Sequence, residues 1–142
     1  MLNNIRKILF LVFLFSCAND TISTTDDNSS VNQNNLDIIT WNIEHYPKHS
    51  NTNLYLKDII NSIEGLDIIA LQEIESSNQL SMLANNLGPE WVDFRHENSD
   101  WGELSYLINS ETVSYQEPYS ILNEYQYYFA YRPPYVLEFN YN

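Results

Sequence analysis

The chain has 142 residues and a net charge of −13, with six basic side chains against nineteen acidic ones. That length allows one domain with little to spare. The charge is a poor one for holding nucleic acid by electrostatics alone, because phosphate contacts need Lys and Arg. The single cysteine excludes an intramolecular disulfide.

The N-terminus reads as an export signal. Arg6 and Lys7 precede the apolar run Ile8-Leu9-Phe10-Leu11-Val12-Phe13-Leu14-Phe15, which closes on Ser16-Cys17. A basic start, a short apolar stretch and a small residue before the cut define a secretory signal peptide, and the run is too short to span a bilayer as a helix. Leu14-Phe15-Ser16-Cys17 also resembles a bacterial lipobox, so residues 1–17 are expected to be a lipoprotein signal with Cys17 as the lipidated residue. The protein is then expected on a membrane of the bacterial cell envelope, facing the periplasm or the exterior. Residues 18–35 are rich in Asn, Ser, Thr and Asp and nearly free of apolar side chains. Such a stretch buries too little surface to offset its ordering entropy and reads as a polar tether. The folded part is expected over 36–142.

Leu36-Asp37-Ile38-Ile39-Thr40-Trp41-Asn42-Ile43 and Leu66-Asp67-Ile68-Ile69-Ala70-Leu71-Gln72-Glu73 are largely apolar runs of strand length, with a polar residue at or next to the end of each, Asn42 and Glu73. Runs apolar on both faces suit strands in the middle of a domain. Between them Leu56, Ile59, Ile60 and Ile63 follow helical spacing, with Asn51, Thr52 and Asn53 as cap candidates and Gly65 as the stop. Ser77 is the expected cap of a second helix through Leu80, Leu83, Ala84 and Leu87, halted by Gly88-Pro89. Beyond Trp91 the texture becomes aromatic and β-branched, and strands are expected at 91–96, 104–108, 113–117, 125–131 and 135–140. The architecture reads as α/β passing into an antiparallel section.

Glu73 ends a buried run, where a carboxylate suits a hard cation such as Mg²⁺. The commoner reading on spacing alone is the first solvated residue after a strand. Asn42 can offer an oxygen to metal-bound water or an NH₂ to phosphate, although Asn more often serves turns. His45 and His49 flank Pro47, which argues against a shared helical face and so against a zinc pair. His96 is expected to be an ordinary surface or edge residue. The eleven tyrosines are expected to serve packing rather than base stacking.

Taken in context, Asp37-Ile38-Ile39-Thr40-Trp41-Asn42-Ile43 closely resembles the first motif of the endonuclease/exonuclease/phosphatase (DNase I-like) superfamily. Asp67-Ile68-Ile69-Ala70-Leu71-Gln72-Glu73 resembles its second motif, and the segment opening Tyr131-Arg132-Pro133-Pro134-Tyr135 resembles its Arg-x-Pro strand. The resemblance implies the N-terminal half of a four-layer α/β/β/α sandwich, incomplete in this chain. It makes Glu73 a ligand of Mg²⁺ (or Mn²⁺ or Ca²⁺), Asn42 a residue that helps hold the metal and orient the scissile phosphate, and Arg132 a contact to substrate phosphate. The substrate is then a phosphate ester, nucleic acid included, and the expected chemistry is nuclease-like phosphodiester hydrolysis. Sugar- or lipid-phosphate hydrolysis is the alternative within the superfamily, and a non-catalytic envelope lipoprotein the alternative outside it. The family's later motifs, which carry further histidine and aspartate residues, have no counterpart here. No residue is assigned as the general base, so these residues alone are expected to be inactive.

Overall fold

The computed structural model describes residues 6–8, 35–97 and 102–141. In chain order the elements are β1 (Arg6–Ile8), β2 (Asp37–Tyr46), α1 (Thr52–Asn61), β3 (Leu66–Ile74), α2 (Ser77–Leu87), β4 (Trp91–Arg95), β5 (Glu103–Asn109), β6 (Val113–Tyr115), β7 (Tyr119–Ser120), a 3-10 helix (Asn123–Phe129) and β8 (Tyr135–Tyr141). The first sheet runs β2-β3-β5-β4 and the second runs β1-β8-β6, with β7 also paired to β8. Strands β2 and β3 are parallel and joined through α1, while every other pairing is antiparallel.

β3 is buried from Leu66 to Leu71, because both of its faces are covered. Ile69 and Leu71 pack under the helices with Leu56, Ile60, Leu80, Leu83 and Ala84. Ile68 and Ala70 point the other way, into a second core with Tyr106, Ile108, Val113, Tyr135, Leu137 and Phe139. Full burial of a Leu- or Ile-sized side chain contributes about 1.5–3 kcal/mol. The result is three layers: helices, a mixed sheet and an antiparallel sheet. That is a mixed α/β fold, and the described residues supply one helical layer rather than the two of a four-layer sandwich.

Both helices form where periodicity places them, with adjustments. In α1 the buried face is Asn53, Leu56 and Ile60, whereas Ile59 and Ile63 are exposed. The helix stops at Asn61, so Ile63 lies beyond it and the wide apolar stripe expected from sequence becomes a narrow one. Gly65 follows at φ 75°, a left-handed turn that glycine makes without steric cost. For α2 the cap is Ser76, one residue before the expected Ser77, and its hydroxyl accepts from the Gln79 N–H at 3.3 Å. The Tyr46 hydroxyl meets Asn53 Oδ1 and the Gln79 carbonyl, tying the end of β2 to the first turns of both helices.

The expected strand over 125–131 is instead the 3-10 helix, closed by a Tyr131 N–H bond to the Gln126 carbonyl at 2.8 Å. Tyrosine favours strands only where a sheet face receives its ring. Here Tyr125, Tyr127, Tyr128 and Tyr131 are all more than half exposed, and the local turn bonds decide. Packing does account for Tyr46, Tyr106 and Tyr135, which are buried. Tyr106 stacks on Tyr135 and donates its hydroxyl to the Tyr135 carbonyl at 2.6 Å. Burial pushes the Tyr135 phenol up to about 12. β1 lies inside the expected signal segment, and cleavage before Cys17 would remove its pairing with β8. Cys17 itself and nearly all of the expected tether lie outside the described residues.

Candidate functional site

The parallel pair β2 and β3 ends in two irregularities that place the site. Leu71 pairs with Ser105 and Ile74 with Glu103, so Gln72 and Glu73 together face Leu104 as a β-bulge. On the other side Asn42 pairs with Gln72 and Tyr46 with Ile74, so residues 43–45 bow out opposite Glu73. Bulges bend a strand and re-aim its side chains, and they recur beside active sites. Both bowed segments contain a residue in the left-handed region, His45 at φ 54° and Glu73 at φ 62°. Such a backbone costs an L-residue about 1–2 kcal/mol. Strain held at a strand end by its surroundings points to a role for the side chain.

The half-buried Glu73 carboxylate is turned toward β2. Asn42 donates its Nδ2 to Glu73 Oε1 at 3.0 Å, the orientation in which the amide presents N–H rather than oxygen to a carboxylate. Among the described residues no hydrogen bond reaches the Asn42 Oδ1 or the second Glu73 carboxylate oxygen. Gln72 braces the same two strands, donating Nε2 to Thr40 Oγ1 at 2.8 Å and to the Ala70 carbonyl at 3.1 Å. The sequence pair Asn42 and Glu73 is thus brought into direct contact across adjacent strands.

Around it lies an acidic rim. The His45 Nδ1 sits 2.6 Å from Glu75 Oε1, and that bond, followed by the charges of Glu75, Glu73 and Glu44, raises the imidazole above its ordinary range. Lys48 pairs with Glu44 at 2.8 Å and holds that carboxyl below its usual value. His49 lies in the turn after β2, where its N–H donates to Thr52 Oγ1 at 3.0 Å, away from any helical face shared with His45.

Two features went unread in the sequence. His96 is 9% exposed rather than a surface residue. Its Nδ1 lies 3.0 Å from Oε2 of Glu103, which is fully buried, and its ring meets Tyr135 edge-on. Antiparallel pairing of β4 with β5 creates this pair, and nothing in local spacing marks it. The second is Gly102, which lies against Glu73 itself. A Cβ on Gly102 would come 2.6 Å from the Glu73 Cα.

Arg132 stands apart from the pair. It follows the 3-10 helix, with its N–H bonded to the Phe129 carbonyl at 2.9 Å, and leads into β8 at the end of the sandwich where Tyr135 contacts His96. This is the end at which β3 terminates. Among the described residues no hydrogen bond or ion pair joins the Arg132 side chain to Asn42 or Glu73.

Glu73 and Asn42 carry oxygen donors of the kind a hard cation takes. Among the described residues no group of three or more His, Cys, Asp or Glu is gathered for a metal. A hard cation that keeps several of its waters, as Mg²⁺ does, needs only one or two protein carboxylates.

No protein-family model matches the chain, and no curated protein matches it. Among solved structures, a crystal structure of humanized D. rerio TDP2 carrying 14 mutations is similar, at 18% identity and a TM-score of 0.45. The similarity covers 63% of this chain and 36% of that one.

Proposed function

We propose that this chain supplies one wall of a metal-dependent phosphoesterase site of the endonuclease/exonuclease/phosphatase kind, acting on phosphodiesters in a nuclease-like manner. The observation that carries the reading is the Asn42–Glu73 contact at 3.0 Å across two parallel strands, near the ends of the two motifs. Glu73 offers a carboxylate oxygen to Mg²⁺. Asn42 fixes that carboxylate and keeps its own Oδ1 for a water or for substrate positioning. When bound, the cation stabilises charge on the phosphoryl oxygens. Arg132, at the same end of the sandwich, is the residue assigned to substrate phosphate. No residue of the chain is assigned the water-activating base. The net charge of −13 favours a second reading in which the substrate is a small sugar or lipid phosphate rather than a polynucleotide. The lipid on Cys17 would hold the domain at an envelope membrane.

A titration with Mn²⁺ followed by electron paramagnetic resonance tests the metal site directly. Glu73→Gln is expected to weaken binding about tenfold or more, equivalent to about 1.4 kcal/mol. Equal affinity in the two proteins would remove Glu73 from any metal site and the phosphoesterase reading with it.

A further inference from the structure

We propose that Gly102 is the positioning residue for the Glu73 carboxylate. This inference rests on the reading of Glu73 as the metal ligand and adds what holds that ligand in place. Gly102 is buried just before β5, and it is not among the glycines at positive φ, which are Gly65 and Gly88. The demand on this glycine is one of space.

The space it saves is against Glu73. A Cβ at Gly102 would lie 2.6 Å from the Glu73 Cα, 3.0 Å from its Cβ and 3.1 Å from its carbonyl carbon. These are backbone and near-backbone atoms, which cannot swing aside as the tip of a long side chain can. Packing interiors tolerate no such overlap, so one chain or the other must shift.

Glu73 is the residue least able to absorb that shift without consequence. It sits in the β-bulge at φ 62°, a conformation its own side chain disfavours. On one side Gly102 is pressed against its backbone, and on the other Asn42 holds its carboxylate at 3.0 Å. The carboxylate is aimed by being clamped between the two. Mg²⁺ and Mn²⁺ sites demand near-ideal distances, so a backbone displacement of some tenths of an ångström at Glu73 should be read out as lost affinity. Gly102 touches neither metal nor substrate and acts only through Glu73.

The test is Mn²⁺ titration of the full chain and of Gly102→Ala, Glu73→Gln and the double variant, each checked for near-ultraviolet circular dichroism. Gly102→Ala is expected to weaken Mn²⁺ binding about tenfold, the lower end of the range for residues that support a ligand, and by no more than Glu73→Gln does. The double variant is expected to bind no more weakly than Glu73→Gln alone. Three results overturn the idea in different places. Unchanged binding in Glu73→Gln, or no binding by the unaltered chain, sinks the metal reading and this inference together. Weakened binding in Glu73→Gln alongside wild-type binding in a folded Gly102→Ala sinks only the role of Gly102. A further loss in the double variant shows that Gly102 acts elsewhere than through Glu73. Should Gly102→Ala fail to fold, the Glu73→Gly background decides. There the opposing backbone is free to give way and Gly102→Ala is expected to fold; failure in that background as well overturns the proposal.

Discussion

Replacing Glu73 by glycine and by alanine separates backbone strain from side-chain chemistry. Both substitutions remove the carboxylate and its bond to Asn42 at 3.0 Å, so that loss cancels between them. Alanine keeps a Cβ at φ 62° and with it the left-handed penalty of about 1–2 kcal/mol. Glycine is released from that penalty but gains freedom in the unfolded chain, which costs about 0.5–1 kcal/mol. Glu73→Gly should therefore exceed Glu73→Ala in stability by about 0.75 kcal/mol, the middle of a range of about 0–1.5 kcal/mol. For a domain of this size, that middle value corresponds to a melting temperature higher by about 3–6 °C. Scanning calorimetry on the two proteins reads it directly. Both are expected to lose Mn²⁺ binding, so the more stable variant is also a non-binding one, as expected where a strained residue is kept for function. An alanine variant as stable as the glycine variant, or more so, would refute the argument that strain is stored at this strand end.

Three other outcomes follow from the same structure. Tyr46→Phe removes a fully buried hydroxyl that meets Asn53 and the Gln79 carbonyl; a urea midpoint showing a loss of about 1–3 kcal/mol is expected, and no loss would mean that the network does not hold β2 to the helices. The His45 imidazole, raised above 6.5 chiefly by its bond to Glu75, contributes stability that is fully present below that value and fades as pH rises through the folded-state pKa. A proton NMR titration should place its midpoint above 6.5 in the intact chain and closer to it in Glu75→Gln; identical midpoints contradict the pairing. Expression in a bacterial host with mass measurement of the membrane fraction should find a diacylglyceryl mass on Cys17, absent from Cys17→Ala; an unmodified cysteine would end the lipid-anchor proposal.

Much of the fold was legible because it rests on local rules. The apolar run at 66–71 was expected as a strand covered on both faces, and it lies between the two cores. The run in β2, expected the same way, is instead at the edge of its sheet with only Tyr46 buried, because the described residues place no strand beyond it. The second helix was legible from Leu80, Leu83 and Ala84, all of which are buried. The stretch over 125–131 was misread because tyrosine content speaks for a strand only if a neighbour takes the rings, and no local feature reports the absence of a receiving face. His96 was misread for the opposite reason. Its partner Glu103 is seven residues on, at the start of the next strand, and only the β4–β5 pairing buries the two together.

Periodicity and residue type along the chain determined the two helices and the buried run of β3, and the choice of Asn42 and Glu73 came from the resemblance of two strand ends to family motifs. The tertiary structure alone decided how those two residues meet. A bulge in β3, a bowed segment in β2 and the glycine that leads into β5 meet at Glu73, whose backbone is left-handed there. That meeting depends on strand pairing between segments remote along the chain, which no local stretch of sequence contains.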